Sequence, residues 1–169
     1  STGWSSNPYI DDPTGVAFKS DGTVLYILSR SNSGRLWQIN LSTAWDISSG
    51  TTNSYKSIPA QVTGSQQDYL KWKPDGTRFF YMESRSQSYY EDQLRYYDCS
   101  TAWDVTSGTL ATQYWSNLLN WAPTGFTFNA DGTKLYYCGW STTSTGGSWG
   151  GTGTQGKRVY CLDLDNGTI

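Results

Sequence analysis

The chain has 169 residues, with 12 basic and 14 acidic side chains, a formal charge of −2 and no histidine. No basic stripe offers itself to phosphate, which argues against a nucleic-acid partner. The missing imidazole excludes Ser-His-Asp and Cys-His catalysis and histidine metal sites. No apolar run approaches the roughly 20 residues of a membrane-spanning helix.

In chain order, residues 1–6 come first, with Trp4 standing roughly where Trp115 stands later. A first strand is predicted over 13–18, where Val16 and Phe18 alternate with a period of two. Asp21-Gly22-Thr23 then reads as a tight turn, because glycine tolerates positive φ and aspartate bonds the backbone beside it. A second strand over 24–28, a polar loop over 29–35 and a third strand over 36–41 follow. Ser42-Thr43-Ala44-Trp45-Asp46 and Ser49-Gly50-Thr51 lead to a fourth strand near 53–58.

The same order begins again at 67. Its strands are expected over 67–72, 78–82, 94–99 and 110–116, with Asp75-Gly76-Thr77 and Ser100-Thr101-Ala102-Trp103-Asp104 between them. A third copy has strands over 123–128, 134–138 and 159–164 around Asp131-Gly132-Thr133, but carries Asp165-Asn166-Gly167-Thr168 in place of the Trp-Asp segment. The turns recur at offsets of 54 and 56 residues, each three residues after Phe18, Trp72 or Phe128. Such a period indicates stacked copies of one β-unit. The expected fold is therefore all-β: a β-propeller segment with three four-stranded antiparallel blades, over about 13–58, 67–116 and 123–164. Residues 1–6 serve in this reading as a latch strand completing the last blade of a ring. Three blades do not close a propeller, so a homo-oligomer, further blades or a larger structural assembly is expected.

Pro-Thr-Gly-x-x-Phe-x-x-Asp-Gly-Thr-x-Leu-Tyr, followed by Leu-Ser-Thr-Ala-Trp-Asp-Ile-Ser, resembles the β-propeller repeats of bacteriophage structural and tail-fibre proteins and of bacterial surface proteins. The resemblance implies a non-enzymatic structural or adhesive module, extracellular or on a virion surface, that makes protein or glycan contacts.

On a propeller, the loops after the second strands share a face with the segments before the first strands. That face collects 29–35, 83–93 and 139–156 with 7–12, 61–66 and 117–122, and would display Tyr9, Tyr89, Tyr90, Trp121, Trp140, Trp149, Arg30 and Arg85 as candidate ligand contacts. Aromatic rings beside short polar groups suit sugar faces, which makes a carbohydrate-binding lectin the alternative function. The stretch from Gly139 to Gly156 has the composition of a flexible loop, with Trp140 and Trp149 as possible recognition anchors on it.

Trp45 with Asp46 and Trp103 with Asp104 are assigned to structure, as are Asp21, Asp75 and Asp131. Glycoside hydrolysis is the weakest reading, since Asp11 with Asp12 and Glu91 with Asp92 are adjacent rather than opposed. No catalytic residue, cofactor or metal is assigned, and Asp163-Leu164-Asp165-Asn166-Gly167 lacks the later ligands of a calcium loop. Asn40 and Asn166 head glycosylation triplets. A bridge between Cys138 and Cys161 across one hairpin is conceivable, and Cys99 reads as a small buried hydrophobe.

Overall fold

The computed structural model describes residues 10–30, 34–59, 65–85, 93–112, 115–116, 125–142 and 155–164. They form three open antiparallel sheets. The first contains β1 (Pro13–Phe18), β2 (Val24–Ser29), β3 (Arg35–Leu41) and β4 (Gly50–Ser57), in that order. The second contains β5 (Ser65–Trp72), β6 (Arg78–Arg85), β7 (Gln93–Cys99) and β8 (Gly108–Leu110), with β9 (Trp115–Ser116) also paired to β7. The third contains β10 (Gly125–Phe128), β11 (Lys134–Thr142) and β12 (Gln155–Asp163). The described residues form no closed ring, and the expected latch over 1–6 lies outside them.

Two expectations need correction at the level of strands. The fourth strand of the second copy is broken: β8 pairs Tyr97 through Cys99, whereas β9 pairs Gln93 and Leu94. Strands β6 and β11 run beyond 82 and 138, so Glu83 and Trp140 sit in paired strands, with Glu83 opposite Gln93 and Trp140 opposite Lys157. Trp140 is thus a strand residue rather than a loop anchor. Alternation simply continues through polar and glycine-rich sequence once the partner strand supplies backbone hydrogen bonds.

Each Asp-Gly-Thr turn is built alike. Asp21 Oδ1 accepts from the Thr23 amide at 2.9 Å and the Thr23 hydroxyl at 2.6 Å. Asp75 does the same with Thr77 at 2.9 and 2.7 Å, and Asp131 with Thr133 at 3.0 and 2.7 Å. Gly22, Gly76 and Gly132 have φ of +74°, +72° and +71°, a region open to glycine at little cost. Lys19 and Lys73 reach the outer oxygens of Asp21 and Asp75 at 2.8 and 2.9 Å.

The Trp-Asp segments dock on these turns. The amides of Trp45 and Trp103 donate to the carbonyls of Gly22 and Gly76, both at 2.9 Å. Each indole covers its glycine so closely that a Cβ there would overlap the ring. Asp46 and Asp104 then cap single 3-10 turns, Ile47–Ser49 and Val105–Ser107, by accepting from the Ser48 and Thr106 amides at 2.9 Å.

Hydrogen bonds from Lys19 and then Thr23 hold the Asp21 carboxyl below its ordinary range, and Thr133 and Ser48 do the same for Asp131 and Asp46. For Asp75, burial opposes the shift, but bonds from Thr77 and Lys73 outweigh it. A depressed folded-state value contributes stability above the unfolded range, which is lost as pH falls through the folded value. Replacing Asp21, Asp75 and Asp131 by Asn should therefore make Tm less dependent on pH between about 5 and 2. An unchanged slope in thermal melts would show that other carboxyls control acid unfolding.

The sheets pack face to face. Tyr26, Leu28 and Leu36 of sheet 1 meet Leu70, Trp72, Phe79, Tyr81 and Tyr97 of sheet 2. Phe80, Met82, Leu94 and Tyr96 on the other side of sheet 2 meet Phe126, Leu135, Tyr137 and Leu162 of sheet 3. Burying each large apolar side chain contributes about 1.5–3 kcal/mol. Desolvation between the sheets pushes the Tyr97 hydroxyl up to about 12 and the half-buried Cys99 thiol up to about 11.

The cysteines are free thiols. Cys138 stands opposite Val159 and Cys161 opposite Tyr136, so the two thiols are diagonal neighbours on one face. Diagonal neighbours on a sheet stand about 7–8 Å apart, beyond the Cα separation a disulfide spans.

Candidate functional site

The first strands converge. β1 lies beside β5 and β5 beside β10, so one edge of every sheet borders a common space. β1 and β5 approach closely at Gly15, where an added Cβ would stand 3.0 Å from both the Cβ and the amide of Leu70. The Thr14 hydroxyl fastens the pair by donating to the Gln67 carbonyl at 2.7 Å.

This convergence encloses an open-mouthed cavity of about 530 Å³. Val16, Ile27, Leu70 and Phe126 supply apolar walls, Thr14 a hydroxyl, Lys71 an ammonium and Tyr69 a ring. Tyr69 is 38% exposed and has a φ of +56°. Its repeat equivalents are Gly15 and Gly125. A bulky residue in left-handed backbone costs on the order of 1 kcal/mol. The register shift between Asp68 and Leu70 accommodates this conformation. The sequence carried a signal here that pattern reading passed over: a tyrosine at a glycine position of the repeat.

Beside the cavity, Arg30 holds Asp12 in a fork, its Nε and a terminal nitrogen donating at 3.0 and 2.9 Å, and another nitrogen stands 4.0 Å from Asp68. Arg30 also donates its amide to the Asp12 carbonyl at 3.1 Å, and the Ser29 hydroxyl bonds the Asp11 carbonyl. Arg30 thereby ties the end of β2 to the segment before β1. Its guanidinium is held further toward the charged form by the Asp12 carboxylate.

Most of the other predicted contacts fall on residues that the structure does not describe. Tyr9, Tyr89, Tyr90, Trp121, Trp149 and Asn166 lie outside the described residues, as do Glu91 and Asp92. The strand positions of Arg85, opposite Ser65, and Trp140, opposite Lys157, are described. Asn40 is exposed in β3, opposite Val24 and Thr51.

Sheet 2 also contains a buried polar cluster, of which Glu83 and Gln93 fall in the expected loop 83–93 and Arg95 in the expected strand 94–99. The Glu83 carboxylate, fully buried, meets Arg95 Nε at 2.6 Å, and Arg95 also donates to the Gln93 side chain. These residues take the positions that Ser29, Trp37 and Arg35 occupy in sheet 1.

No family model matches the chain, and no curated protein matches it. Solved structures do. One is a candidate 6-phosphogluconolactonase of Bacteroides fragilis, 15% identical with a TM-score of 0.53, which matches 90% of this chain. Another is a candidate 6-phosphogluconolactonase of Bacteroides uniformis, 13% identical with a TM-score of 0.51, which matches 86%. The chain spans 39% of the length of each. At these identities the likeness concerns the fold alone. These findings overturn the resemblance to phage and bacterial-surface propeller repeats. The Ser-Thr-Ala-Trp-Asp and Asp-Gly-Thr segments that prompted it are a local docking device, an indole on a glycine turn, which any stacked meander can use.

Proposed function

We propose that the three sheets are consecutive blades of a β-propeller and that the chain is a non-catalytic module binding carbohydrate in the cavity between its first strands. The observation that carries this reading is Tyr69, set in left-handed backbone where its equivalents are glycine, with its ring at the cavity. Strain kept at one copy of a repeat points to a use for that copy. An aromatic face with apolar walls accepts the C–H patch of a sugar ring, while Lys71 offers donors to hydroxyl or acidic substituents and the Thr14 oxygen, its proton given to Gln67, offers an acceptor. Such a module suits an extracellular surface, where glycans are met.

Tyr69→Gly separates stability from binding. The variant should keep or raise Tm, because glycine relieves the positive φ, yet lose at least tenfold in affinity for the glycans that the native chain selects on an array. Unchanged glycan binding would remove the cavity from this reading. The likeness to candidate 6-phosphogluconolactonases supplies a second reading, a hydrolase of phosphorylated sugar lactones whose phosphate meets Lys71. Catalysed opening of 6-phosphogluconolactone, abolished by Lys71→Met, would replace the first reading by the second.

A further inference from the structure

The three copies present the same positions to the sheet that follows. In sheet 1 these are Tyr26 and Leu36, 0% exposed, and in sheet 2 Phe80 and Leu94, 0% and 2% exposed. In sheet 3 they are Tyr136 and Val159, 37% and 74% exposed. Together with Phe126 and Cys138 they border an apolar hollow of about 280 Å³.

The reverse holds on the opposite side of sheet 1. Leu70 of sheet 2 and Phe126 of sheet 3, each packed toward the preceding sheet, are 3% and 7% exposed, whereas their equivalent Val16 is 62% exposed. Trp103 is half-buried and its equivalent Trp45 is 59% exposed. Among the described residues, none covers the trailing face of sheet 3 or the leading face of sheet 1.

One hydrogen bond distinguishes what the trailing face accepts. Between sheets 1 and 2, the Tyr26 hydroxyl donates to the Trp103 carbonyl at 2.6 Å. Between sheets 2 and 3, the copy that follows carries no Trp-Asp segment, and the tyrosine position is Phe80, which has no hydroxyl to satisfy. Tyrosine therefore stands where a Trp-Asp segment follows, and phenylalanine where none does. On sheet 3 the position reverts to tyrosine, Tyr136, which is 37% exposed. Sheet 1 carries the matching element: Trp45, with a φ of +67° against +66° for Trp103, docked on its glycine turn in the same way.

We infer that the trailing face of sheet 3 is covered by the leading face of sheet 1 of a second copy of this chain, with the Tyr136 hydroxyl donating to the partner's Trp45 carbonyl. The contact continues the two interfaces already present within the chain. Made twice around one axis, it gives a closed ring of six sheets and leaves neither face open. The inference rests on the propeller reading above, but not on the ligand: it concerns mass in solution without glycan, so failure of either test leaves the other interpretable.

Light scattering of the native chain should give the mass of two chains. Val159→Asp, at an exposed strand position, should give the mass of one while its circular dichroism spectrum stays native. Tyr136→Phe removes one hydrogen bond at each of the two contacts and should weaken association about 25- to 100-fold, roughly five- to tenfold for each bond. A single-chain mass for the native protein at every concentration would overturn the inference. So would a mass of three or more chains, or a two-chain mass that withstands both Val159→Asp and Trp45→Ala.

Discussion

Trp103→Ala is expected to destabilise the fold by about 3 kcal/mol or more, whereas Trp45→Ala costs about 1 kcal/mol within a single chain. Both indoles cover a glycine turn, so local docking alone predicts equal losses. The difference lies in what else they touch. Trp103 lies 5.3 Å from the Trp72 ring and 6.5 Å from the Tyr26 ring, between two sheets, and its truncation opens a cavity there. Trp45 meets Phe18 at 5.1 Å and otherwise faces outward. Urea melts of both variants in the Val159→Asp chain, which keeps association out of the comparison, should separate their midpoints clearly. Equal midpoints would mean that the sheet 1 to sheet 2 contact adds little to the tryptophan-on-glycine device.

A comparable loss is expected at the buried ion pair. Glu83→Ala removes the buried carboxylate that Arg95 Nε faces at 2.6 Å and should cost about 3–5 kcal/mol. The pair itself need not be stabilising, because desolvating two charges offsets much of their attraction. The double change Glu83→Met with Arg95→Met should therefore recover most of the loss. Denaturant melts of the single and double variants form the test. A single variant within 1 kcal/mol of native stability would show that water reaches Arg95 and that the pair is not truly buried.

Much of the strand order was legible in the sequence because its signals are local. Asp21, Asp75 and Asp131 each fix a turn through a threonine two residues on, and Val16 with Phe18 shows strand alternation without outside help. The ends of strands were less legible: Glu83 and Trp140 are strand residues because β7 and β12 pair with them, a fact written in the partner strand. Tyr69 in place of Gly15 and Gly125 marks a departure from the repeat in the sequence, but the space it borders exists only once the first strands converge. The surface first expected to bind ligand rested on loops, several of which lie outside the described residues.

Repeat period, all-β class and turn chemistry were determined by the sequence alone, since each depends on side chains acting within a few residues of themselves. Which face of each sheet is covered was decided by tertiary structure. Tyr26, Phe80 and Tyr136 occupy one repeat position, yet two are buried and one is exposed, because burial depends on whether another sheet lies across that face.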